Sequence, residues 1–223
     1  MPLSRSVMEK DVKQAVKDFF EVYPLKRFDK GHVLVHPDKL LTSVYYLVEG
    51  TVAQYDISPS GNEVIINTFK PGAFFPMSTA INHTPNYYFF EASLPIALRE
   101  APAKKAVEFV RTNPAVTFDL LSRVYLGTDG LLRRMAHLMG GNARTRLIFE
   151  LLNAAYRFGT HETGGGTAIP LTENDIAKRS GLSRETVNRT MHTLKNDGLV
   201  KMQRGSIVIW EVAKLEEALG SDL

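Results

Sequence analysis

One thirty-residue stretch, LTENDIAKRSGLSRETVNRTMHTLKNDGLV from Leu171 to Val200, restricts the fold of this chain more than any other. Its pattern predicts a helix, a tight turn and a second helix. Thr172 is a good N-cap with Asp175 three residues on, and Ile176 and Ala177 supply an inward face. Gly181 can take the positive φ that a sharp turn demands. Leu182 then plugs the space between the helices, and Ser183 caps the next one. On that second helix Val187, Met191 and Leu194 follow an i, i+4, i+7 spacing and must face inward. Arg184, Glu185, Asn188, Arg189 and His192 are left on the outer face.

That outer face has the chemistry of base readout in a DNA major groove. Arg can donate two bonds to guanine O6 and N7, Glu can accept from cytosine N4, and Asn can pair with adenine. The competing reading of Arg184, Glu185 and Arg189 is a solvated helix face laced with i,i+4 ion pairs. Asn196-Asp197-Gly198 ends the run. Leu199 to Met202 and Ile207 to Trp210 then read as two strands joined by a turn at Arg204-Gly205-Ser206, the wing of a winged helix. Thr172, Ser183, Lys201, Arg204 and Ser206 are candidates for phosphate contacts, which position a protein without specifying sequence. Lys178, Arg179 and Lys195 add either a basic surround or simple solubility.

The first half of the chain changes period twice. Val12, Val16, Phe19 and Phe20 recur at helical spacing, so a short helix is expected over 8–20. His32–His36, Val44–Val48, Thr51–Ile57, Glu63–Phe69 and Glu91–Leu98 are then short, rich in β-branched and aromatic residues, and separated by turn pairs such as Glu49-Gly50, Ser60-Gly61 and Pro71-Gly72. This predicts an antiparallel barrel or jelly roll. From about Ala103 the helical period returns, and Leu121, Val124, Thr128, Leu131, Met135 and Leu138 form a stripe suited to a coiled-coil dimer seam, or to packing on the chain's own domain. Gly127 and Gly130 within it suggest a bend or a close helix approach. Gly140-Gly141 ends that helix and Ala143 to Phe158 starts another. THETGGG, 160–166, reads as an exposed connection inside a second domain. The expected class is α+β: an N-terminal antiparallel β jelly roll over 1–110, a long dimerisation helix over 111–140 and a C-terminal winged helix-turn-helix over 141–223.

Composition narrows the functions. The 223 residues contain no cysteine, which excludes disulfides, cysteine-held zinc, iron–sulfur clusters and thiol switches. The amino-terminal segment lacks a signal-type apolar core and no run approaches a membrane span, so a cytoplasmic protein without a membrane partner is expected. The formal net charge is +3, compatible with a polyanionic partner. A cupin-like metalloenzyme would use His32 and His36, four apart, but no third ligand is evident in a suitable pattern. No triad, phosphate-cradling loop or carboxylate pair stands out, so neither catalytic residues nor a metal are expected. A protein-interaction or ligand-storage module is the remaining alternative to DNA binding.

The order of parts resembles the Crp–Fnr family of bacterial regulators. The likeness rests on Tyr45-Tyr46-Leu47-Val48-Glu49-Gly50, on Pro71-Gly72-Ala73-Phe74, on the long central helix, and above all on Ser183-Arg184-Glu185-Thr186-Val187-Asn188-Arg189. It implies a cyclic-nucleotide-binding-like β-roll and a homodimer on a palindromic, TGTGA-like site, with half-sites about one helical turn, roughly 34 Å, apart. Arg184, Glu185 and Arg189 match the family's base-contacting positions, and Asn188 replaces a small residue of the cyclic-AMP type. The resemblance further implies an activator that contacts RNA polymerase, and the 156–167 region looks like the polymerase-contacting loop. The effector site departs from the family pattern. Where cyclic-nucleotide binders carry Gly-Glu and Arg-Ser pairs, this chain has Phe74-Phe75-Pro76-Met77-Ser78-Thr79 and then Tyr87-Tyr88. Leu131 and Leu132 stand where the cyclic-AMP type has two hydroxyl residues. Cyclic AMP is therefore not the expected effector. Phe74, Phe75, Met77, Tyr87, Tyr88, Leu131 and Met135 either line a pocket for a small apolar effector or merely fill the core. Haem, with Pro2, His83 or Met77 as ligands, is a further option; otherwise no cofactor is expected.

Overall fold

A computed structural model describes residues 5–59 and 61–220, with side chains from Lys10 onward. Pro2 and Ser60 lie outside the described residues. The chain forms two compact units, 1–127 and 128–223.

The first unit opens with α1 (Arg5–Glu21), whose Val12, Val16 and Phe20 are buried, as the helical spacing of those residues requires. Eight strands follow, with one short helix among them: β1 (Leu25–Phe28), β2 (Val33–Val35), β3 (Ser43–Glu49), β4 (Val52–Ile57), β5 (Glu63–Phe69), β6 (Phe74–Phe75), α2 (Met77–Asn82), β7 (Phe89–Ala92) and β8 (Ile96–Pro102). They make two antiparallel four-stranded sheets, β1-β8-β3-β6 and β2-β7-β4-β5. Two apolar clusters result. One gathers Phe20, Val44, Phe74, Met77 and Val110. The other is built on Leu47, Phe75, Phe90 and Leu98, where the rings of Phe75 and Phe90 stack at 5.5 Å.

The segment expected as one strand over Glu91–Leu98 is two strands in different sheets, interrupted at Ser93-Leu94-Pro95. Pro95 has no N–H for a ladder, and the β3–β4 turn closes against it. A Cβ on Gly50, φ +81°, would lie 2.2 Å from the Pro95 carbonyl oxygen, so that turn needs glycine both for its dihedral and for its clearance.

Two helices continue the chain, α3 (Ala103–Thr112) and the 27-residue α4 (Pro114–Gly140). The division between the units falls within α4. Gly127 and Gly130 do not interrupt it, and no described atom of the chain outside the helix's own backbone lies within 4 Å of where their Cβ atoms would stand. The close approach expected at these glycines is therefore not made within this chain.

After Gly141, Asn142 caps α5 (Ala143–Phe158) by accepting from the backbone N–H of Arg144 and Thr145. The rest of the second unit comprises β9 (Thr160–His161), β10 (Thr167–Ile169), α6 (Glu173–Ser180), α7 (Arg184–Asn196), β11 (Val200–Gln203), β12 (Ser206–Ile209) and α8 (Val212–Gly220). The expected two-stranded wing belongs to a four-stranded antiparallel sheet, β11-β12-β10-β9. The THETGGG stretch is thus a hairpin connecting β9 to β10.

Candidate nucleic-acid interface

Local chemistry sets the two helices of the motif. Thr172 caps α6 in a complete capping box: its hydroxyl accepts from the Asp175 N–H while the Asp175 carboxylate accepts from the Thr172 backbone. Gly181 ends that helix at φ +67°. Ser183 caps α7, its hydroxyl accepting from the Thr186 N–H at 3.1 Å. Ile176, Val187, Met191 and Leu194 are each at most 1% exposed and share one core with Leu147, Leu151 and Ile207, with Leu182 packed against it. The inward face is therefore fixed by burial, and the outward face follows from it.

Arg184, Glu185, Asn188, Arg189 and His192 are all exposed on α7. Among the described residues, the side chains of Arg184, Glu185 and Arg189 form no hydrogen bond or ion pair, so the competing picture of an i,i+4 Glu185–Arg189 pair is not realised. Asn188 differs. Its Nδ2 donates to Glu173 Oε2 on α6 at 3.3 Å. At the far end of α7, Asp197 pairs with Arg144 of α5 at 2.8 Å, tying the reading helix to its scaffold.

Arg204 is exposed on the β11–β12 turn with Ser206 half-buried beside it, and the Lys201 ammonium lies 5.7 Å from the centre of the Trp210 ring. The Thr172 and Ser183 hydroxyls are engaged in caps, and Thr172 also donates to Asp175 at 2.6 Å. Arg179 does not belong to a basic surround. Only 8% of it is exposed, because it turns into a buried ionic cluster with Arg134, Glu150 and Arg157. Arg134 pairs with Glu150 at 2.7 Å and donates to the Arg179 carbonyl. The guanidiniums of Arg157 and Arg179 each lie 5.5 Å from the Phe158 ring centre. Burial pushes the Glu150 carboxyl above the usual carboxylate range, and Arg134, Arg179 and Arg157 oppose that shift. Sequence reasoning missed this cluster. Its signal was Glu150 itself, a lone acid inside Leu147-Ile148-Phe149-Glu150-Leu151-Leu152.

The seven residues considered for an apolar effector are distributed unequally. Phe74 and Met77 pack in one cluster of the β-roll and Phe75 in the other, where it stacks on Phe69 at 4.4 Å. Tyr88 is half-buried, whereas Tyr87 is 63% exposed. Leu131 and Met135 are 50% and 55% exposed on α4. An open cavity of about 640 Å³ lies elsewhere on the first unit, between Arg27, Phe28, Lys30, His32, Glu49 and Ile96. His83 is exposed with a left-handed backbone, and Met77 is buried. His32 stacks on Phe28 at 4.3 Å, while His36 meets the edge of Phe89. Of the seam residues, Leu121 and Val124 are 47% and 55% exposed, Thr128 is exposed and Leu138 is half-buried.

A capped helix-turn-helix with a wing, preceded by a two-sheet β-roll and a long helix, defines a class of two-part DNA-binding regulators. Residues 145–218 match the Crp-like helix-turn-helix domain, and residues 25–113 match the cyclic nucleotide-binding domain. The chain belongs to the Crp–Fnr family of transcription regulators. It is 24% identical over 187 residues to the cAMP-activated global transcriptional regulator CRP of Pasteurella multocida, covering 83% of this chain and 90% of that protein. It is also 24% identical over 192 residues to the transcriptional regulator SdrP of Thermus thermophilus, covering 85% and 91%. Among solved structures, a CRP/FNR-family regulator from Thermus thermophilus superposes with a TM-score of 0.74 at 23% identity, covering 90% of this chain and all of that one. The c-di-GMP responsive global regulator CLP of Xanthomonas campestris superposes with a TM-score of 0.75 at 17% identity, covering 89% and 99%. No helix among the described residues is long and apolar enough to cross a membrane.

Proposed function

We propose that this regulator binds double-stranded DNA as a homodimer, reading a palindromic, TGTGA-like site through Arg184, Glu185, Asn188 and Arg189. The observation that carries this reading is the outer face of α7: three charged side chains, exposed and unpaired among the described residues, on a helix whose opposite face is locked in the core. Base-reading groups in that state give up no internal partner when they enter a groove. Lys201, Arg204 and Ser206 on the wing side contact phosphates, and the N-termini of α6 and α7, capped by Thr172 and Ser183, point the same chemistry at the backbone.

Selection from random duplexes should return a palindrome, and Arg189→Ala should cost about 1–3 kcal/mol at one base position in each half-site. Uniform weakening on every sequence would remove Arg189 from base readout. The effector is a ligand other than cyclic AMP, and the bound dimer activates transcription by touching RNA polymerase through the 156–167 region. The structural neighbours support a change of ligand on one fold, since they include a c-di-GMP responsive regulator and CprK complexed with OCPA.

A further inference from the structure

Asn188 has an amide with two unlike ends: Oδ1 only accepts and Nδ2 only donates. Its Nδ2 meets Glu173 Oε2 at 3.3 Å. A carboxylate has no proton to offer, so the amide can face Glu173 in one way only, nitrogen inward and oxygen outward. Glu173 is the first residue of α6, directly after the cap, and the capping box is completed by Thr172 and Asp175 without its side chain. The capping hydrogen bonds therefore do not use Glu173, whose charge in the first turn also suits the positive end of the helix dipole.

We propose that Glu173 is a positioning residue for base selection: by holding one amide hydrogen of Asn188, it obliges Asn188 to present Oδ1, with its second amide hydrogen alongside, to the major groove. This rests on the DNA-reading role proposed above. An acceptor beside a donor matches adenine, which offers the N6 amine and accepts at N7. It also accepts from cytosine N4. It opposes guanine and thymine, whose O6 and O4 would face an acceptor with another acceptor. A carboxylate this close to DNA repels phosphate, so its retention costs general affinity and returns discrimination at one base pair.

The test is selection from random duplexes with the full-length protein, comparing the unaltered chain with Glu173→Ala, Glu173→Lys, Asn188→Ala and the Glu173→Lys/Asn188→Ala double variant. The unaltered chain should favour adenine, then cytosine, over guanine and thymine by roughly tenfold at one position of each half-site. Glu173→Ala should flatten that position alone, while affinity for the site as a whole stays level or rises. General damage to the domain would lower both together. Glu173→Lys can only donate to Oδ1, which turns Nδ2 outward, so its preference should move to guanine or thymine. The double variant should match Asn188→Ala, because the inversion acts through that amide. An unchanged base spectrum in both Glu173 variants overturns the orienting role while leaving DNA reading intact. Failure of the unaltered chain to select any sequence overturns base readout itself, and the orienting role with it.

Discussion

Glu150 leaves 2% of its side chain exposed, 2.7 Å from Arg134 and within the field of Arg179 and Arg157. A carboxylate so far from water is costly, and here it is also the buried anion set among three guanidiniums, so its loss strands buried positive charge. Truncating one partner of a buried pair typically costs about 3–5 kcal/mol, much of it the penalty on the charge left behind. Glu150→Ala should destabilise the second unit by that amount. Trp210 is the sole tryptophan and lies in this unit, so its fluorescence during urea unfolding isolates the relevant transition. A loss below about 1 kcal/mol would mean that water or rearranged arginines take over the role of the carboxylate. The partners come from α4 (Arg134), α5 (Glu150, Arg157) and α6 (Arg179), so one residue ties the central helix to the first helix of the reading motif.

At the scale of elements, the ends of α6 and α7 are set by side chains whose role is local. Ser183→Ala removes the acceptor for the Thr186 N–H and should cost about 1 kcal/mol of stability with no DNA present. Ser183→Asp should restore it. A loss seen only on DNA binding would assign Ser183 to phosphate rather than to the cap. These caps, and the Val187, Met191 and Leu194 face, were legible in the sequence because each depends on residues within one or two turns. The same locality made β5 legible at Glu63–Phe69, where a run rich in β-branched residues lies between turn residues. Elements that exist only through distant pairing were not. β1, Leu-Lys-Arg-Phe, is mostly exposed and is a strand only because Leu25 to Phe28 pair with Arg99 to Ile96. α2 is six residues after a proline, too short to show a helical period. The Asn188–Glu173 contact joins residues 15 apart on two helices, a separation that no single-helix spacing encodes.

For the whole molecule, the consequence lies along α4. Leu121, Val124, Leu131 and Met135 are 47–55% exposed, and Phe118, Tyr125, Leu132 and Met139, recurring every seven residues beside them, are 57–78% exposed. An isolated helix face this apolar is what soluble monomers avoid and what helix-paired dimers bury. A second copy supplies the cover in the proposed assembly, and two α7 helices then meet two half-sites. Val124→Glu and Leu131→Glu each place a charge in the seam, so sedimentation should shift from the dimer mass to that of a single chain. Each variant should also bind a palindrome only as well as a single half-site, a loss of roughly 10²-fold or more, because the second contact is no longer intramolecular. Their winged units should still melt as the unaltered chain does, since neither residue belongs to that core. If both variants remained dimeric, or if the unaltered chain sedimented as a monomer while binding palindromes tightly, the seam along α4 would not be what joins the two reading heads.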